Sequence, residues 1–251
     1  MNWSVSQTRV FPIAYVTVIL IAVIIGVLLH NKNDKIKNIP FFVITSLLLI
    51  TEVIKQVKSI QVGYNSWDIP LHFCSMFLLW FSMASFFRGN TKKVGHYISY
   101  VTGFAFLIAF IIGPTTIIGG ATDNLTFTLS NFDALHTFYY HFAVVLFFLL
   151  QISLRIPYPT LQNLKEVAIP FFSWMAFAAI MANVTNTNFS NLLYNNVLFM
   201  QSIKDSFGYI PYLISMFFVF FILLIGILTL GNLLKILETR VKLKKENPVN
   251  S

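Results

Sequence analysis

The sequence predicts an all-α fold, a polytopic helical membrane bundle with about seven transmembrane helices. Three observations carry this expectation. The 251 residues are 57% hydrophobic and only 10% charged, and the mean hydropathy is +0.74, far from the composition of a water-soluble domain. Apolar runs long enough to cross a bilayer core follow one another along the whole chain. The basic residues fall in the short connections between those runs and alternate in density from one connection to the next.

Taken in order, the runs predict spans near Phe11 to His30, Ile39 to Ile54, Ile69 to Phe87, Val94 to Ile112, Leu135 to Leu154, Ala168 to Val184 and Tyr209 to Leu230. The first lacks a small-residue cleavage site after its apolar stretch and reads as a retained span. The second is short and is followed by a mixed stretch, Lys55 to Trp67. In the third, Asp68 reads as an N-cap with Pro70 in the first turn, so that helix is expected to start close to Asp68. Ser130 and Asp133 resemble a capping box that starts the fifth span near Asn131. The expected organisation is one transmembrane domain over residues 1–232, followed by a basic cytoplasmic tail, 233–251. From Leu233 onwards Lys and Leu alternate, a pattern of a solvated tail or of a short helix lying on an anionic leaflet.

Orientation follows from the basic residues. One set of alternate connections carries Lys32, Lys35, Lys37, Arg88, Lys92, Lys93, Arg155, Lys165, Lys235, Arg240, Lys242, Lys244 and Lys245, and the other carries only Arg9, Lys55, Lys58 and Lys204. The asymmetry places the C-terminus in the cytoplasm and the N-terminus outside, in a multi-pass protein of the plasma membrane. The formal charge of +8 therefore reports topology and implies no nucleic acid partner. The expected partners are membrane lipids. No span shows a dominant small-xxx-small face, so no oligomeric state is specified. No inverted repeat is visible, which disfavours a repeat-built transporter.

Polar residues near span ends then locate the chemistry. Glu52, Asp68, His72, Cys74, His136, His141, Asn183, Asn186 and Asn188 all fall on the expected outer side, whereas His30 and His96 lie toward the cytoplasmic interface. An Asp or Lys inside a bilayer costs at least about 2.5 to 3.5 kcal/mol, so several ionisable groups at one depth on different helices point to a shared cavity. On a regular helix positions 68 and 72 share a face and 72 and 74 point about 200° apart, which removes His72 as a base for Cys74. With Cys74 at a depth of about 9 Å, His136 at about 8 Å and His141 at about 15 Å, a base from the fifth span is expected. The lone cysteine also fits as a small packing residue, and the asparagines as turn formers. No glycine-rich phosphate loop, paired-cysteine metal pattern or Gly-x-Ser-x-Gly elbow occurs, so no cofactor and no metal are expected.

Ile69-Pro70-Leu71-His72-Phe73-Cys74-Ser75 resembles the "LPLHLC" signature of the YwaF-like family of bacterial integral membrane proteins. Phe138-Tyr139-Tyr140-His141 resembles that family's "FF-x-S-H" segment, with Tyr140 where Ser often stands. Asn183-Val184-Thr185-Asn186-Thr187-Asn188-Phe189 resembles its Asn-rich "G-T-N-Y" turn before the last span. The family is similar to animal transmembrane acyltransferases that remodel ether phospholipids through a cysteine and a histidine, and more distantly to membrane hydrolases that use threonine and histidine. The resemblance implies Cys74 as nucleophile and His141 as base, and assigns no role to Asp68 or His136.

The expected function is acyl transfer on phospholipid esters at the outer leaflet, with Cys74 and His141 catalytic and Asp68, His72, His136, Asn186, Asn188 and Glu52 around the substrate. The alternative is a non-catalytic binding protein or permease whose polar vestibule, built from Glu52, Asp68, His72, His136 and His141, opens to the outside.

Overall fold

Helices account for most of the described residues, 5–112, 132–195 and 197–246 in a computed structural model, and no strand occurs among them. Six are long and apolar enough to cross a membrane, namely Val10–Leu29, Asp34–Val62, Gly89–Ile112, Leu135–Ser153, Leu161–Thr185 and Tyr209–Arg240, and a shorter apolar helix covers Met76–Phe86. Contacts group the chain into two compact units, Met1–Pro157 and Tyr158–Ser251.

The first unit contains α1 (Val5–Leu29), the short α2 (Asp34–Lys37), α3 (Ile39–Val62), α4 (Met76–Phe86), α5 (Gly89–Ile112) and α6 (Phe132–Ser153). Asn33 caps α2 by accepting from the Ile36 N–H at 3.1 Å, and Pro40 opens α3, where its missing N–H costs nothing. α3 ends at Gly63, whose φ of +99° suits a residue without a Cβ. α6 packs against α1, α3 and α5, and α4 packs against α3 and α5. The space between them is filled by phenylalanine: Phe41, Phe77, Phe81, Phe110 and Phe147 are fully buried, and Phe81 stacks on Phe147 at 3.7 Å with 5° between the rings. Lipid tails are as apolar as these side chains, so their contribution is close packing and not escape from water. At Gly95 an added Cβ would lie 2.4 Å from the Ala84 backbone nitrogen, so glycine lets α4 and α5 touch through their backbones. Thr45 and Ser85 hydroxyls share a hydrogen bond of 2.8 Å, and Asn38 Nδ2 donates to the Ser85 carbonyl at 3.0 Å, tying α3 to α4.

Two expectations change here. α3 runs about two turns beyond Ile54, because its last turns are polar on the inward side and apolar on the outward one. Glu52 and Ser59 are buried while Val53, Val57 and Ile60 are exposed; reading for unbroken apolar runs misses such a helix. The third span does not begin at Asp68, since the regular helix starts only at Met76. The residue before Pro70 is held in extended backbone, with Ile69 at φ −59° and ψ +127°, and the Asp68 carboxylate bonds the Ser59 hydroxyl and caps nothing. The helix of the fifth span starts at Phe132, one residue from the expected Asn131. The Ser130 and Asp133 capping pair lies outside the described residues.

The second unit contains α7 (Leu164–Thr185), α8 (Leu198–Phe207) and α9 (Tyr209–Glu246). Thr160 and Asn163 form a reciprocal capping box ahead of α7. α8 is a helix that the sequence reading leaves as loop, with Leu198 and Phe199 exposed and Met200 buried. Gly208, at φ +90°, turns the chain from α8 into α9. α9 is continuous over 38 residues, so Lys235 and Arg240 ride on the same helix as the last span. It packs on α7 and α8, and Gly231 passes the Pro159 carbonyl so closely that an added Cβ would sit 2.1 Å from it.

Candidate functional site

α4 has 11 residues and is about 16 Å long, roughly half of a hydrocarbon core about 30 Å thick. It is preceded by the irregular segment 63–75. Non-helical backbone at membrane depth persists only where protein groups take over its hydrogen bonds, and here α3 and α6 supply them. Asn65 Oδ1 accepts from the Trp67 N–H at 2.9 Å and opens a 3-10 turn over Ser66–Asp68. Gln56 Nε2 donates to the Asp68 carbonyl at 2.7 Å and to Glu52 Oε1 at 2.7 Å. The Ser59 hydroxyl donates to Asp68 Oδ2, and the Tyr64 hydroxyl donates to Gln56 Oε1 at 2.8 Å. His72 Nε2–H donates to the Trp67 carbonyl at 3.1 Å, with the two rings 4.4 Å apart. The Tyr140 hydroxyl of α6 donates to the Cys74 carbonyl at 3.0 Å.

The helical-phase argument that set His72 against Cys74 therefore has no helix to act on. The same holds for the depth of Cys74 counted from Asp68 along a helix. His72 is occupied instead by folding its own segment back on Trp67.

Beneath this segment lies the pair Glu52 and His136, on α3 and α6. Both are more than nine-tenths buried, and Glu52 Oε2 lies 3.4 Å from His136 Nε2. Lys55 Nζ approaches Glu52 Oε1 at 3.8 Å. A buried carboxylate is tolerated when other groups meet its oxygens; here Gln56 donates to Oε1, and Lys55 and His136 approach without a hydrogen bond. The His136 ring is packed between Phe132, at 5.9 Å, and Tyr139 and Tyr140, both at 5.5 Å. Lys58 Nζ sits 4.7 Å over the Phe132 ring.

Cys74 is half-buried and packs against the aromatic core. His141, one residue beyond Tyr140, is 4% exposed. Its Nδ1 lies 2.6 Å from the Thr137 carbonyl. A carbonyl only accepts, so Nδ1 carries the proton and Nε2 keeps the lone pair. The ring stacks on Phe106 at 5.5 Å and 8°. Phe106 in turn meets Phe77, three residues after Cys74, at 5.6 Å. No hydrogen bond joins Cys74 to His141; the Tyr140 bond docks the α6 turn that carries the histidine onto the segment that carries the thiol.

A family model described as the TMEM164 family matches residues 3–229. The chain belongs to the TMEM164 family. No curated protein and no solved structure matches it. The part matched to the TMEM164 family includes every candidate site residue and ends within α9, before Lys235.

In the second unit of this TMEM164-family chain the asparagines build a turn. Asn186 closes α7 in the left-handed region, at φ 50° and ψ 38°, a conformation asparagine tolerates. Asn188 Oδ1 accepts from the N–H groups of Leu193 and Tyr194 at 2.9 and 3.2 Å, and its Nδ2 donates to the Tyr194 carbonyl at 3.0 Å. Asn183 Nδ2 donates to the Ala179 carbonyl and to the Tyr209 hydroxyl. The polar capacity of Asn188 is thus spent on its own loop.

Three residues of the site escape the sequence reading: Gln56, Ser59 and the Tyr140 hydroxyl. The signal available for the first two was spacing, because 52, 56 and 59 share one face of a helix. His96 is 5% exposed and held against α6 with Gln151 as partner. Among the described residues no three His, Cys, Asp or Glu side chains are grouped to hold a metal ion.

Proposed function

We propose that this TMEM164-family membrane protein is an acyl-transfer enzyme acting on phospholipid esters at the outer leaflet of the plasma membrane, through Cys74 and His141. The observation that carries the reading is the tautomer of His141. With Nδ1–H committed to the Thr137 carbonyl, the Nε2 lone pair is free to act as a base. The resemblance of the Cys74 and His141 segments to a cysteine and histidine acyl-transfer pattern points the same way.

In this scheme His141 Nε2 takes the thiol proton of Cys74, and the thiolate attacks the ester carbonyl of a phospholipid. The tetrahedral adduct expels the lysophospholipid alkoxide, which recovers the proton from His141 and leaves an acyl thioester on Cys74. The hydroxyl of an acceptor lysophospholipid then gives its proton to His141 and attacks the thioester, forming the new ester and returning the thiol. Water in place of that hydroxyl yields hydrolysis. Asp68, His72 and Tyr140 are positioning residues that hold the Cys74 segment. Glu52 and His136 stand beside the reacting pair as a second polar group facing substrate.

Purified protein treated with an acyl-ester activity probe is expected to label at Cys74. Labelling falls by about 10²-fold or more in His141→Ala, the size of a lost general base, and vanishes in Cys74→Ala. Labelling that persists in Cys74→Ala sinks the proposal. One observation favours the alternative of a binding protein or permease: Glu52 and His136 meet at 3.4 Å, whereas no hydrogen bond joins Cys74 to His141. That reading expects substrate uptake by vesicles, abolished in His136→Ala, with no covalent labelling of the wild type.

A further inference from the structure

At the end of the first unit remote from Asp68, the start of α3, the start of α5 and the residues after α6 enclose a cavity of about 280 Å³. Lys37, Lys92, Lys93 and His96 line it together with Phe41 and Ile156, and Asp34 adds one carboxylate. Three lysines against that carboxylate leave the wall basic. Gly89 also lines the cavity and opens α5, a helix of 24 residues, whose first-turn N–H groups favour an anion.

His96 supplies the independent pointer. Gln151 Nε2 lies 3.1 Å from His96 Nδ1 and 2.9 Å from the His96 carbonyl. The carbonyl accepts only, so this atom is the amide nitrogen and Nδ1 is its acceptor. The ring proton is therefore on Nε2. His96 is 5% exposed and flanked by Phe41 at 5.2 Å and Phe147 at 6.4 Å, yet its Nε2–H makes no hydrogen bond to the described residues. A donor held in one tautomer, on a residue in the wall of a basic cavity, is an open position for an acceptor oxygen.

We propose that this cavity binds a phosphate group, presented as the headgroup of an anionic phospholipid in the leaflet on that side. A lipid is favoured over free phosphate because the cavity wall is also apolar, through Phe41, Tyr97, Ile156 and Pro157. Beyond it lie exposed apolar side chains of α3 and α4, Ile39, Phe42 and Phe86, along which acyl chains can run. The positive-inside count assigns this end to the cytoplasmic leaflet, where anionic lipids concentrate. This site is separate from Cys74 and does not rest on the acyl-transfer reading.

Native mass spectrometry of the full chain with phosphatidylglycerol, phosphatidic acid or phosphatidylcholine tests the proposal, with thermal unfolding in lipid-free detergent as the check on folding. The anionic lipids are expected to be retained over phosphatidylcholine. Lys37→Ala and Lys92→Ala should each lower that retention about fivefold, the size of one basic residue facing an anionic lipid, with lipid-free unfolding unchanged. Lys235→Ala serves as the control and should leave retention intact. Inorganic phosphate that displaces the lipid and protects the wild type equally, but not Lys92→Ala, keeps the phosphate site and makes its source a free anion. Equal retention of phosphatidylcholine overturns the proposal, as does retention indifferent to both Lys37→Ala and Lys92→Ala.

Discussion

The two ends of the first unit use polar side chains in opposite ways. At the end of α3 near Asp68, Gln56, Ser59 and Tyr140 bond the irregular segment 63–75, two of them through its backbone carbonyls. The polar groups there are spent on architecture and permit a span whose regular helix is only 11 residues long. At the other end, Gln151 is spent on His96 alone, and His96 and the lysines line a cavity. One end replaces missing helix hydrogen bonds from within. The other leaves donors for something outside the chain. Buried polar groups in a membrane protein therefore mark either a broken helix or a ligand, and the direction of their hydrogen bonds tells which.

Substitutions at the two ends should separate accordingly. Gly95→Ala forces a Cβ to within 2.4 Å of the Ala84 nitrogen and should cost about 3 kcal/mol by overpacking. Because α5 carries Lys92 and Lys93, loss of anionic lipid retention should accompany the lower unfolding temperature. Glu52→Leu removes the acceptor of Gln56 and the partner of His136 and should destabilise the protein by about 2 kcal/mol. Glu52→Gln, which keeps a side-chain carbonyl, should lose less in the same thermal melt. Gln151→Leu, at the opposite end, leaves Nδ1 and the carbonyl of His96 without their donor and should cost about 1 kcal/mol. Here the amides of 63–75 should exchange with deuterium at the wild-type rate. Tyr140→Phe deletes the bond to the Cys74 carbonyl, for about 0.5 to 1 kcal/mol. Hydrogen exchange in 69–75 should nevertheless rise, and acyl-probe labelling of Cys74 should fall. A Tyr140→Phe protein that exchanges like wild type in that segment would erase the contrast between the two ends.

Much of this architecture was legible in residue order. Apolar runs located the long helices, and the fifth began within one residue of its expected start. Where the reading failed, a side chain distant in sequence had intervened. Asp68 looks like an N-cap and Pro70 like a first-turn residue only if nothing else claims the carboxylate; Ser59, nine residues back, claims it. The last turns of α3 look like loop because polar residues interrupt the apolar run, and they are helical because that polar face is covered. Among the site residues, Glu52 and His136 were singled out on different helices without being paired; the structure pairs them.

Composition and periodicity alone determined that the chain is a helical membrane protein, that its basic residues favour one side, and which few ionisable residues lie near span ends. These are properties of single segments in contact with lipid, where the energy of each residue depends on its own polarity and depth. Only the tertiary structure decided that the regular helix after Asp68 starts as late as Met76, that His141 holds its proton on Nδ1 and His96 on Nε2, and that three lysines share one cavity. Those outcomes depend on which acceptor lies opposite a given donor once helices far apart in sequence have packed, and hydrogen-bond direction has no signature in residue order.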